Sequence, residues 1–192
     1  MTEQQPGLSQ PKPTWTIGGL GAEKPFADYK EKLALFGQFV GDWVIEEARY
    51  PRPYGVELRS QGEIHFGWIL DGRAVQDVFM SRDPDTGRAV PVGTTVRFYD
   101  PKLDAWQSTW ISPVQELVQT FIGRKIGDEI VLESKTRDGY PEKWIFSEIT
   151  KNSFRWHAEE THDNGKTWIL TEEMRVRRKI SARPGPGQDR IS

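Results

Sequence analysis

The sequence predicts an all-β chain: an up-and-down antiparallel β-barrel of about ten strands with one N-terminal capping helix. Three observations lead there. After Gly41 the apolar pattern takes a period of two and keeps it almost to the C-terminal tail. Turn-forming pairs cut this stretch into short runs, as hairpins require. Aromatic side chains, with eight Trp, nine Phe and five Tyr, recur through the middle of the chain, where pleated surfaces accommodate them.

The elements follow in order. A helix is predicted over 26–39. Pro25 suits its first turn, and Phe26, Tyr29, Leu33, Phe36 and Val40 form one apolar stripe at spacings of three and four. Strands are predicted at 42–50, 57–67, 68–80, 93–100, 105–112, 116–124, 127–134, 142–149, 152–161 and 166–178. Turn signals stand at Asp71-Gly72, Asp83 to Gly87, Asp100-Pro101, Gly127-Asp128, Asp138-Gly139 and Asp163-Asn164-Gly165. Asp71-Gly72 falls inside the third segment and leaves its limits open. Without helical crossovers a parallel sheet is not expected, and closing a sheet of this size removes its exposed edges.

Residues 1–24 are expected to form a disordered or loosely attached arm, 25–179 the barrel, and 180–192 a disordered tail rich in Pro and Gly. A formal net charge of −2, with both signs mixed along the chain, argues against a nucleic-acid surface. No apolar run reaches the roughly 20 residues of a membrane span. The polar start lacks the pattern of a signal peptide, so a cytoplasmic location is expected. The chain has no cysteine, which excludes disulfides, thiolate nucleophiles and Cys-ligated metals. Whether it pairs as a homodimer is left open.

Alternation assigns side chains to faces. Ile64, Phe66 and Trp68 share a face, as do Trp144 and Phe146, and Phe154, Trp156 and Ala158. Trp168, Leu170, Glu172, Met174 and Val176 form another such set, and Ser108 lies between Trp106 and Trp110. These aromatic sets are expected inside. Two strands are ambiguous. The inner set of 74–80 is either Val75, Asp77 and Phe79 or Ala74, Gln76, Val78 and Met80. That of 93–100 is either Val96 and Phe98 or Thr95, Arg97 and Tyr99. One bulge exchanges either pair.

At Phe39 to Trp43 the chain resembles the calycin superfamily, which includes lipocalins and fatty-acid-binding proteins. Those barrels often open their first strand with Gly-x-Trp after a short helix, as Gly41-Asp42-Trp43 does here. The resemblance implies a basic side chain from the end of the barrel on that Trp, matched by Arg178. His65 to Trp68, Gly72 to Asp77, Arg97 to Pro101 and Ser153 to Trp156 are similar to bacterial calycin-like domains of unknown function. Val44 to Tyr50 carry no glycine, so the Gly-x-Trp-x-Gly-x-Gly haem pattern of nitrobindin-like barrels is incomplete. No cofactor is expected.

The expected site is the lumen. Phe66, Phe98, Trp110, Trp144 and Trp156 are its candidate wall, and Gln76, Arg97, Tyr99 and Ser108 its candidate polar contacts. The expected partner is a small apolar or aromatic molecule. The rival expectation is a cofactor-free isomerase, cyclase or lyase. In it Asp77 or Glu172, a carboxylate among indoles, moves a proton. Pairing of these carboxylates with Arg73, Arg97 or Arg49 would leave them structural. No metal site is expected: His65 and His157 fall on the polar sides of their strands and His162 lies beside a turn. A one-residue slip is the arrangement that would turn His157 inward toward a haem.

Overall fold

The structure, a computed structural model, describes residues 20–51 and 57–179. The segments 1–19 and 180–192, expected as most of the arm and as the tail, lie outside the described residues. Ten strands form a closed antiparallel barrel: β1 (Gly41–Tyr50), β2 (Leu58–Ile69), β3 (Ala74–Arg82), β4 (Ala89–Asp100), β5 (Ala105–Ser112), β6 (Leu117–Ile126), β7 (Glu129–Lys135), β8 (Pro141–Ser147), β9 (Ser153–Glu160) and β10 (Ile169–Arg178). Each pairs with its sequence neighbours, and β1 pairs with β10 to close the ring. Asp71-Gly72 is the β2–β3 hairpin turn, with both residues at positive φ. The boundary therefore falls there rather than between residues 67 and 68, and β2 runs on through Trp68.

Before β1 come a 3-10 turn, Ala27–Tyr29, and the helix α1, Lys30–Gly37. The predicted helix is thus shortened at both ends. Its stripe still works: Leu33 and Phe36 are buried, while Tyr29 stays exposed. Phe36 sits edge-on to Trp106 at 4.8 Å and to Phe146 at 5.8 Å. Phe39 meets Phe154 at 5.0 Å. The helix therefore closes the end at which β1 starts and β10 finishes. In an up-and-down barrel, Tyr50 and the β3–β4, β5–β6, β7–β8 and β9–β10 turns occupy the other end.

Trp43 and Arg178 lock the plug in place. They are direct cross-strand partners. The Arg178 guanidinium lies 4.1 Å from the Trp43 ring centroid. It also donates to the carbonyls of Val40 at 2.8 Å and Gln38 at 2.7 Å, which follow α1. A cation suits the end of a helix, where carbonyls lack partners. Gly41 makes this close approach feasible: its φ is +126°, and a Cβ there would lie 2.8 Å from Arg178 Nη1.

Two bulges change the expected faces. One lies between Ile45 and Ala48 along the β1–β2 edge. It carries the inward parity from Trp43 and Ile45 over to Ala48 and Tyr50. The other lies between Leu170 and Glu172. The inward run expected from Trp168 to Val176 therefore holds only from Glu172 onward. Leu170 pairs with Glu159, and Trp168 lies under the ammonium of Lys143 at 3.7 Å.

Candidate functional site

The lumen holds a cavity of ≈340 Å³ between the helical plug and the opposite end. Its wall includes Ile64, Phe66, Phe79, Trp110, Trp144, Phe146, Phe154, Trp156 and Met174. Trp110, Trp144 and Trp156 form a continuous indole wall, with ring centroids 6.0 Å and 5.3 Å apart. Gly93 makes room for this wall, since a Cβ there would lie 2.5 Å from the Trp110 ring.

The ambiguous strands resolve by pairing. Phe66 faces Asp77 across β2–β3, and Val75 pairs with Arg97 across β3–β4. Val75, Asp77 and Phe79 therefore turn inward with Thr95 and Arg97. The expected site residues divide accordingly. Phe66, Trp110, Trp144, Trp156, Asp77, Arg97 and Glu172 line the cavity. Phe98 does not: it lies on the outer face and is 43% exposed. Gln76 also points away, and its amide donates to Thr94 at 2.9 Å. Tyr99 has inward parity but sits beside the plug, near Tyr29, and donates to Asp104 at 2.6 Å. Ser108 is buried, yet it does not reach the cavity and its hydroxyl has no partner.

Asp77 and Arg97 form an ion pair, both side chains almost fully buried. Rings surround the guanidinium, with its centre 5.2 Å from the Phe36 centroid and 5.8 Å from that of Phe66. This carboxylate is committed to its guanidinium, so Asp77 lacks the free carboxylate that the proton-transfer expectation requires.

Glu172 is different. Among the described residues no Arg or Lys forms an ion pair with it. Arg49 and Arg155 instead hold its outward-facing neighbour Glu173. Glu172 keeps some accessible surface but is enclosed by protein on most sides. Burial is the main cause that pushes its carboxyl from 4.5 up to about 7. A hydrogen bond from the Tyr50 hydroxyl opposes the shift, and the charge of Glu142 adds to it. Burial, followed by the charge of Glu172, in turn holds the Tyr50 phenol above its ordinary value. Because the fold binds this proton more tightly than the unfolded chain does, Glu172 favours folding fully below about pH 4.5. That contribution is lost as pH rises through about 7. Glu172→Gln is therefore expected to raise stability at about pH 8 by about 1–3 kcal/mol, discounted for residual solvent, and to change it little near pH 4. Urea denaturation at the two pH values checks this.

Several residues at or near the lumen escaped the sequence analysis as site candidates, among them the polar Tyr50, Ser81, Thr95, Gln115 and Glu142. Glu142 shares the parity of Trp144, so it was legible. It accepts from Trp144 Nε1 at 3.0 Å and also from the Gln119 amide. Tyr50 was hidden by the β1 bulge. Gln115 lies in a turn and accepts from Trp110 Nε1 at 3.1 Å.

The histidines stay outside the lumen. His65 contacts Asp42 at 2.7 Å, and His162 stacks on Tyr140 at 3.9 Å. His157 is covered on the outer face beside Arg155, and burial, then that cation, lowers its pKa. Among the described residues, no three His, Cys, Asp or Glu side chains stand together in a metal-binding arrangement. No helix among them is long and apolar enough to cross a membrane.

No family model matches the chain, and no curated protein sequence matches it. Solved structures do. The S-type phycobiliprotein lyase CpeS from Guillardia theta superposes with a TM-score of 0.54 at 12% identity, covering 82% of this chain and 100% of that one. Rv2717c from M. tuberculosis superposes with a TM-score of 0.52 at 13% identity, covering 78% of this chain and 98% of that one. Together with the closed ten-strand meander, these likenesses support a calycin-like fold for the chain.

Proposed function

We propose that the barrel reversibly binds a small, largely aromatic or apolar molecule in its lumen. The observation that carries this is the cavity itself: an indole wall around open space, with a few polar groups placed along it. Its ≈340 Å³ is at the small end of the roughly 300–1,000 Å³ typical of ligand sites. The fold shared with a phycobiliprotein lyase is in keeping with a pigment-like ligand.

A second reading is proton transfer to or from such a molecule, as in an isomerase, cyclase or lyase without a cofactor. Glu172 favours it, because a carboxyl with a pKa of about 7 at a cavity both gives and takes protons at neutral pH. Asp77 does not, being committed to Arg97.

Tryptophan fluorescence is the direct test, since three indoles line the cavity. Titration with a panel of aromatic acids, aromatic amines, fatty acids and haem is expected to give saturable quenching with at least one compound. The same compound is expected to stabilise the fold by about 2.7 kcal/mol at a hundredfold excess over Kd. No quenching and no thermal shift with any compound would reduce the barrel to a structural module. Turnover of a bound compound that Glu172→Gln abolishes would establish the second reading.

A further inference from the structure

We infer that the molecule this lumen takes is a cation: a protonated amine or similar organic monocation on an aromatic body, held by Glu172 against the indole wall. The inference rests on the ligand-binding reading above and adds the charge of the ligand.

Arg97 is the one cationic side chain among the described residues that line the cavity, and Asp77 neutralises it. Glu172 lines the same cavity with no ion-pair partner among the described residues. Glu142 is close enough that its charge acts on Glu172. Its own contacts are neutral donors, the indole of Trp144 and the amide of Gln119. Among the described residues the lumen therefore carries an unpaired carboxylate, Glu172, beside aromatic rings. A cation gives the Glu172 carboxylate a partner and gains the attraction of ring faces. An anionic ligand meets the Glu172 carboxylate, and the Arg97 guanidinium that could oppose it is paired with Asp77 through Nη1, leaving only its buried Nε without a partner.

Other ionisable groups near Glu172 do not reverse this balance. Tyr50 of β1 is a neutral phenol that hydrogen-bonds to it. Across β9 it faces Ala158, and Arg155 and His157 on that strand lie on the outer face. As Glu172 loses its proton near pH 7, its hold on a cation strengthens.

Three probes of nearly equal shape separate the outcomes: naphthylethylamine, naphthylethanol and naphthylacetate, measured by calorimetry with the full chain. At about pH 8.5 the protonated amine is expected to bind at least about tenfold tighter than the alcohol, with the acetate weakest. At about pH 5.5 the amine's advantage is expected to fall to within about threefold, although the amine itself stays charged. Glu172→Gln is expected to reduce the amine-to-alcohol ratio in the same way at about pH 8.5. Glu133→Gln, on the outer face of β7, is expected to leave it unchanged. Should Glu172→Gln fail to fold, the pH profile of the unaltered protein still decides. Binding of the alcohol with no preference for the amine, or tighter binding of the acetate, overturns the charge assignment and leaves the binding reading standing. Failure of all three to bind overturns the charge assignment, whereas the binding reading falls only if the fluorescence panel fails as well.

Discussion

Arg97→Met is expected to destabilise the protein by about 3–5 kcal/mol, because it leaves Asp77 as a buried carboxylate without its partner. For a chain of this size that corresponds to a fall in Tm of about 6–20 °C. The cost has two sources. The guanidinium lies among Phe36, Phe66 and Phe146, all within 5.9 Å of its centre, so packing is lost with the charge. Asp77 is 4% exposed and must then either stay ionised in an apolar lumen or take up a proton. The double substitution Asp77→Leu with Arg97→Met removes both charges and is expected to recover much of the loss. Urea denaturation of the single and double variants checks the prediction. A loss below about 1 kcal/mol for the single variant would mean that solvent reaches the pair.

Trp43→Ala is expected to cost about 3–5 kcal/mol as well, through a cavity at the plugged end. The indole is fully buried, sits edge-on to Phe154 at 4.9 Å, and donates to the Phe39 carbonyl at 2.6 Å. Its loss also strips Arg178 of its stacking partner, while the bonds from that guanidinium to Gln38 and Val40 hold only if the segment after α1 stays in place. The helix should therefore loosen before the barrel opens. Hydrogen exchange of the Leu33 to Val40 amides in the variant is expected to speed up more than exchange in β5 to β8. Trp168→Ala serves as the comparison. That indole is only partly buried beneath Lys143, and its removal is expected to cost less than about half as much.

The two substitutions mark different depths of legibility in the sequence. The pairing of Trp43 with Arg178 is what the resemblance at Gly41-Asp42-Trp43 implies, and parity along β10 carries it to Arg178, because no bulge falls between Glu172 and Arg178. The pairing of Asp77 with Arg97 did not follow. Each side chain belongs to a strand with two permissible inner sets, and neither set is chemically absurd. The cross-strand partners, Phe66 for Asp77 and Val75 for Arg97, settle both strands at once. Phe98 illustrates the error that local hydrophobicity invites. A phenylalanine in a barrel strand reads as a lumen residue, yet its neighbour Arg97 holds the inward position because Asp77 is there to neutralise it.

The sequence by itself determined the ten-strand meander, the plug at one end and the aromatic character of the lumen. These depend on local chemistry: turn residues that tolerate positive φ, a period of two, and an apolar helical stripe followed by glycine. Tertiary structure alone decided which polar groups face the cavity. Alternation leaves a strand's inner face undetermined by one residue, and a bulge resets it without any mark in composition. The bulge after Ile45 brings Tyr50 inward to Glu172, and the bulge after Leu170 turns Trp168 away. The contrast between an Asp77 paired with Arg97 and a Glu172 with no ion-pair partner among the described residues is likewise a tertiary fact. It depends on whether an arginine from another strand lies within reach, and that distance exists only once the barrel has closed.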